Sequence, residues 1–331
     1  MTRSWGPRVL VTGATGFLGA HVSQALLGRG LAVRALTRSG SPPAPAGTEP
    51  APVGALNDSA GLRRALEGVT SVIHLAAYVH RQRVPHDEDA YREVNVDGTV
   101  ALLDASVAAG IRDFVFVSTV KTVGEISHET WTERTQPAPA DPYGRTKLAA
   151  EEAVRAAALR HGLHAPILRL PLVYGAGMKA NALRLFQLID RGLPLPLGAV
   201  HNRRSLLYVG NFVAAVTATL EHEAGNDLFF VSDGPPIATP DLIRAIARAL
   251  GRPVRLVSVP VGLMRVAARI GDQVARVVPA VPFTSAILDR VVGSLAVDSA
   301  KLATTVGFCP PYALDQGLAA TAAWYRTRGR G

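Results

Sequence analysis

An α/β protein with a doubly wound parallel sheet and a smaller C-terminal cap is predicted by three observations. Apolar runs alternate with helix-compatible stretches through the first half of the chain, a glycine-rich turn joins the first run to the first helix, and the alternation weakens beyond Leu170, where prolines multiply. Alternation of strand-like and helix-like segments is the pattern of a parallel sheet covered on both faces.

Strands are predicted near residues 8–12, 31–37, 70–75, 112–118 and 165–170, with helices near 16–29, 58–67, 88–109 and 143–161. The first strand, around Val9-Leu10-Val11, runs into Thr12-Gly13-Ala14-Thr15-Gly16-Phe17-Leu18-Gly19 and then into helical residues through Leu27. Glycines there let the backbone turn tightly and approach an anionic ligand, which the helix's free amides and positive dipole end would meet. Between the second strand and the next helix, Ser39 to Gly47 is rich in proline and small residues and predicts a mobile surface loop. Residues 1–171, with a returning segment near 206–232, are assigned to the sheet domain, and 172–205 and 235–331 to a cap over the carboxyl ends of the strands. Ligands sit in such a crevice.

Composition narrows the function classes. The chain has 331 residues, 48% of them hydrophobic, enough for one large core or a nucleotide domain with a smaller partner. Its one cysteine, Cys309, forms no internal disulfide, which predicts a reducing, cytoplasmic setting. The amino end lacks a signal-peptide core, and no apolar run is long enough to span a bilayer. A net charge of +9 comes from scattered arginines without interleaved aromatics, so small anionic substrates are expected and nucleic acid is not. His74, His80 and His86 fall on different elements without metal spacing, so no metal is expected. No G-x-S-x-G elbow marks a hydrolase.

Tyr143-Gly144-Arg145-Thr146-Lys147 carries the chemistry, because a tyrosine and a lysine four apart project from one helix face. A free phenol keeps its proton to about pH 10, and an adjacent ammonium is expected to lower that value. Upstream, Phe114-Val115-Phe116-Val117-Ser118-Thr119 ends a strand on two hydroxyls, His74-Leu75-Ala76-Ala77 ends another, and Asn95 lies in a helical stretch.

Gly13, Gly16 and Gly19, spaced G-x-x-G-x-x-G, together with Tyr143 and Lys147, make the chain resemble the extended short-chain dehydrogenase/reductase family over nearly its whole length. The resemblance implies a Rossmann-type fold and a nicotinamide cofactor, with Thr119, Tyr143 and Lys147 as the catalytic set. It implies cofactor contacts from Gly13, Thr15, Gly16, Phe17, Leu18 and Gly19 at the turn, from Thr37 and Arg38 after the second strand, and from Leu56, Leu75, Ala76, Ala77, Asn95, Tyr143 and Lys147. Where relatives often carry an acid to meet adenine this chain has Ala55, with Asn57 or Asp58 as substitutes. The second strand ends on Thr37-Arg38 without an acid, so NADP is favoured over NAD, the guanidinium pairing a 2′-phosphate.

The block from Leu168 to Gly175, with Asn181 and Asn202-Arg203-Arg204-Ser205, resembles the nucleotide-sugar epimerase/dehydratase/4-reductase branch. That implies a UDP-sugar substrate whose diphosphate meets Asn181 and Arg204, Arg203 sharing the task; salt bridges at a domain seam are the alternative. Leu172 stands where epimerase relatives often have a further asparagine. Lys121 either faces the crevice as a substrate contact or points outward. The overall impression is of bacterial surface-polysaccharide enzymes acting on UDP-N-acetylhexosamine derivatives by hydride transfer at C4. The NADP signature favours a 4-keto reductase over a 4-epimerase; a reductase of non-sugar carbonyls and a non-catalytic nucleotide sensor are further alternatives. Relatives imply a homodimer through the helices near 88–109 and 143–161. Finally, Val257 to Ile270, which includes Arg265 and Arg269, with Arg276 beyond, predicts an amphipathic helix that packs on the cap or lies on a membrane surface.

Overall fold

The computed structural model describes residues 6–40, 42–79, 88–222, 224–275 and 284–328. His80, His86 and Arg276 lie outside them. Nine strands are described: β1 (Arg8–Thr12), β2 (Ala32–Arg38), β3 (Glu49–Val53), β4 (Ser71–His74), β5 (Asp113–Thr119), β6 (Ile167–Leu170), β7 (Leu172–Tyr174), β8 (Leu206–Tyr208) and β9 (Leu228–Phe230). The α-helices are α1 (Phe17–Gly28), α2 (Ser59–Leu66), α3 (Glu88–Arg92), α4 (Gly98–Ala108), α5 (Pro142–His161), α6 (Ala180–Asp190), α7 (Val209–Glu221), α8 (Thr239–Leu250), α9 (Val261–Ala275), α10 (Ser285–Val292), α11 (Ala300–Val306) and α12 (Leu314–Arg328).

Seven strands form one parallel sheet in the order β3-β2-β1-β4-β5-β6-β9. Their apolar runs follow from burial on both faces. On one face Val22 and Leu26 of α1, Phe212 and Val216 of α7 and Leu302 of α11 pack on Val9, Val11 and Val115. On the other, Leu62 of α2, Leu102 of α4 and Val154 of α5 pack on Leu10, Val72 and Phe114. The chain runs outward from β1 to β3, then returns to build β4, β5 and β6 on the other side of β1. A crevice opens outside the carboxyl ends of strands at such a reversal.

Two local departures from the predicted pattern have physical causes. The apolar pattern does not reveal β3, because Pro50 and Pro52 fall within it. It is an edge strand, where proline is tolerated because its missing N–H can face away from the ladder. The single helix predicted near 88–109 is interrupted by a π-helical turn, Glu93–Asp97, between α3 and α4; such turns recur at functional sites.

Over the sheet, β7 and β8 form a parallel pair, and Phe186 and Ile189 of α6, Ile243 and Ile246 of α8 and Leu318 of α12 build a separate core. Among the described residues no helix is long and apolar enough to cross a membrane.

Candidate active site

The turn after β1 is shaped by what a side chain would strike. Gly13 has φ +67°, in the left-handed region, and a Cβ there would stand 2.9 Å from the Ala76 amide nitrogen. A Cβ on Gly19 would lie 2.2 Å from the Gly13 carbonyl oxygen, so α1 and the turn pack backbone to backbone. Gly16 caps α1 with no side-chain bond, and the first turn holds no acid. The amides and positive end of α1 are therefore left to meet an anion.

Behind the turn, a chain of buried bonds ties the strand ends together. The Leu75 and Ala76 amides donate to Thr12 Oγ1, 3.1 and 3.0 Å away, and Thr12 Oγ1 lies 2.6 Å from His74 Nδ1. Thr99 Oγ1 donates to the Asn95 carbonyl and lies 2.9 Å from His74 Nε2. The network assigns the tautomer: Thr99 accepts from Nε2–H and Thr12 donates to Nδ1. Burial, with the Lys147 charge second, holds His74 down to about 3, so the ring is a neutral brace.

Asn95, in the π-turn, donates to the Tyr78 carbonyl (3.2 Å) and the Thr146 hydroxyl (3.1 Å) and accepts from the Tyr78 amide (2.7 Å). It thereby clamps the chain leaving β4 to the amino end of α5. Asp141 caps α5, accepting from the Gly144 amide at 2.7 Å, and Pro142 occupies its first turn. Tyr143 and Lys147 ride on this helix.

Thr119, Tyr143 and Lys147 line one cavity of about 780 Å³, together with the glycine turn. Burial, with the Asp141 charge second, pushes the Tyr143 phenol above its ordinary value. Burial also draws Lys147 down to about 7, opposed by Glu151. The expected acidifying of Tyr143 by Lys147 is thus reversed here. Desolvation dominates and Lys147 is not among the charges acting on the phenol; its ammonium sits over the Phe116 ring, 3.9 Å from the centroid. Of the two hydroxyls ending β5, Ser118 donates to buried Glu151 at 2.6 Å. Glu151 also takes a two-pronged contact from buried Arg169, at 2.9 and 2.7 Å, pinning α5 to β5 and β6. Thr119 Oγ1 accepts from the Lys121 amide at 3.3 Å and keeps its proton for another partner.

Of the other residues singled out in the sequence, Thr15, Phe17, Leu18, Thr37, Arg38, Leu56, Leu75, Ala76 and Ala77 line the cavity. Asn95, Lys121, Asn181 and Arg204 do not. Asn95 clamps backbone instead, as above. Lys121 is held between Glu125 (2.7 Å) and Asp141 (2.5 Å); burial opposes its charge, but these carboxylates keep its pKa above the usual value. Arg204 donates to the Arg290 and Gly293 carbonyls, at 2.8 and 3.0 Å, securing the end of α10. Asn181 is exposed on the first turn of α6. Pro171, within the Leu168–Gly175 block, also lines the cavity, as do Tyr78 and Glu93, which escape the sequence motifs; Tyr78 follows Leu75-Ala76-Ala77 directly, and its place after a strand end was the available signal. Among the described residues no cluster could hold a metal ion.

Comparison with known proteins finds relatives over nearly the whole chain. Residues 9–230 match the family described as the NAD dependent epimerase/dehydratase family. A UDP-glucose 4-epimerase of Vibrio cholerae is 33% identical over 95% of this chain and 94% of its own length. A dTDP-glucose 4,6-dehydratase of Streptomyces griseus is 31% identical over 96% and 93%. The crystal structure of a UDP-glucose 4-epimerase of Thermus thermophilus in complex with NAD superposes with a TM-score of 0.74 at 26% identity, covering 96% of this chain and 99% of that one.

Proposed function

The chain belongs to the NAD dependent epimerase/dehydratase family, and from that premise we propose that it inverts C4 of a UDP-linked hexose or N-acetylhexosamine through a transient 4-ketone. The observation that carries this reading is the meeting of Thr119, Tyr143 and Lys147 with the Gly13–Gly19 turn around one cavity. The cavity's residues suit a dinucleotide: a bare helix end for the pyrophosphate, glycines that admit close backbone approach, and the Lys147 ammonium deep within. When bound, the nicotinamide supplies reversible hydride exchange with C4. Tyr143 exchanges the proton on O4, Thr119 hydrogen-bonds that oxygen, and Lys147 holds a ribose. Asn181 and Arg204 are the proposed diphosphate contacts, which requires Arg204 to share its guanidinium with the α10 carbonyls.

The preference for net 4-keto reduction is set aside in favour of epimerisation, because the named relatives are epimerases and dehydratases. Incubating the protein with UDP-glucose, UDP-galactose and their N-acetyl counterparts, without reductant, and following C4 by NMR tests the reading. Inversion at C4 is expected; no inversion of any of them overturns it.

A second reading, reduction of a 4-keto sugar by NADPH, rests on one observation: Arg38 lines the cavity beside Thr37, with no acid at the end of β2. Arg38→Ala should then weaken NADPH binding by about 10–100-fold while sparing NADH, since a charge-assisted bond contributes about 1.5–3 kcal/mol. Calorimetric titration of both dinucleotides checks it. A cytoplasmic homodimer through α4 and α5 completes the proposal; Val100 and Leu159 are exposed on those helices, and light scattering reads the mass.

A further inference from the structure

Helix α9 meets the cap through a narrow face. Met264 and Ala268 are its buried residues, and they join Val200 and Leu288 in a small core. The rest of the helix presents an apolar stripe to solvent: Leu263 is 63% exposed, Val266 56%, Ile270 62% and Val274 45%. Spaced three, seven and eleven residues beyond the first, they lie along one side of the helix. Single exposed apolar residues are ordinary, but a contiguous stripe marks a surface that meets something.

The flank of the stripe is basic. Arg265 and Arg269 are exposed and one helical turn apart, while the helix's only acid, Asp272, accepts the Ser285 amide at 3.0 Å at the start of α10. The exposed residues of α9 therefore carry positive charge alone.

We propose that α9 is a membrane-docking surface, its stripe entering the boundary of an anionic bilayer while Arg265 and Arg269 extend along it to lipid phosphates. Long arginine stems reach the headgroup level in this way, and an apolar face beside a basic one is the pattern of helices lying in the interface plane. A chain of net charge +9 is drawn toward the same surface. A second copy of this chain fits less well, because a two-fold contact across the stripe brings both arginine pairs together. The surface stands independently of the reaction assigned above.

Flotation of the full-length protein with vesicles tests the proposal. Vesicles of equal parts phosphatidylcholine and phosphatidylglycerol should carry it upward, phosphatidylcholine vesicles should not, and salt should release it. Leu263→Asn with Ile270→Asn should lower the partition coefficient by about tenfold or more, from the apolar area lost to the lipid. Arg265→Gln with Arg269→Gln should weaken binding by about fivefold per arginine. Unchanged melting curves and dinucleotide binding show that each variant is folded. The proposal is overturned if the wild-type protein stays down with both vesicle types, if the Leu263/Ile270 variant floats as well as wild type, or if that variant halves a dimeric mass in solution.

Discussion

The sheet domain and the cap are held together in different ways. On the sheet side Thr12, His74, Thr99 and Asn95 pass hydrogen bonds from the end of β1 to the π-turn, and Asp141 caps the helix it precedes. On the cap side, Asn202 reaches Thr239, Val291 and Gly293, and Arg204 reaches Arg290 and Gly293, joining the segment before β8 to α8 and the end of α10. The sheet side uses its polar residues to fix backbone, so that Thr119, Tyr143 and Lys147 are aimed before any ligand arrives. The cap side uses charged and amide side chains to assemble the cap itself.

The comparison breaks most sharply at Tyr143. Tyr143→Phe should lower turnover of a UDP-hexose by about 10²–10⁴-fold, the range for loss of a positioned acid–base group, with melting temperature unaffected. A loss below about tenfold would remove the phenol from the chemistry. Next is Glu151→Gln, which leaves Arg169 buried without its carboxylate and should cost about 3–5 kcal/mol in denaturant unfolding. Gly19→Ala drives a methyl group into the Gly13 carbonyl; an overpacking cost of about 1–3 kcal/mol should appear as about 10–100-fold weaker dinucleotide binding by calorimetry.

A pH series sharpens the contrast further. Lys147 is held near 7 in the fold against an ordinary 10.5, so between those values the unfolded chain binds the extra proton and stability rises with pH. Tyr143 works the other way only higher, where the unfolded phenol ionises and the folded one resists. The wild-type melting temperature should therefore climb relative to Lys147→Met from about pH 7 to pH 9; a constant difference would show that the lysine is not desolvated. The smallest effect belongs to the cap: Ala180 opens α6 with φ +52°, and Ala180→Gly should stabilise the protein by about 1 kcal/mol in thermal unfolding.

This division explains what the sequence revealed. The glycine turn, the Tyr143/Lys147 pair and the apolar strands are local patterns, and the cavity gathers them as expected. The role of Arg204 was not legible, because its partners lie about a quarter of the chain away; those of Lys121, Glu125 and Asp141, are nearer, but a charge alone does not say what it will pair with. Asn95 was recognised as part of the pattern, but only the π-turn shows that its amide reaches Tyr78 and Thr146. The sign of the Tyr143 shift was missed because desolvation depends on what surrounds a group in space.

The prolines of β3 have a consequence for how molecules of this protein meet. Val53 offers its carbonyl to the Ser39 amide, and β3 pairs with β2, so the ladder toward β2 draws on Glu49, Ala51 and Val53. In an extended strand alternate residues face opposite ways, which turns Pro50 and Pro52 to the outer margin. A strand from another molecule approaching there would find carbonyls but, at those two positions, no N–H to answer its own. That margin cannot be zipped onto, and runaway sheet growth is checked at its source.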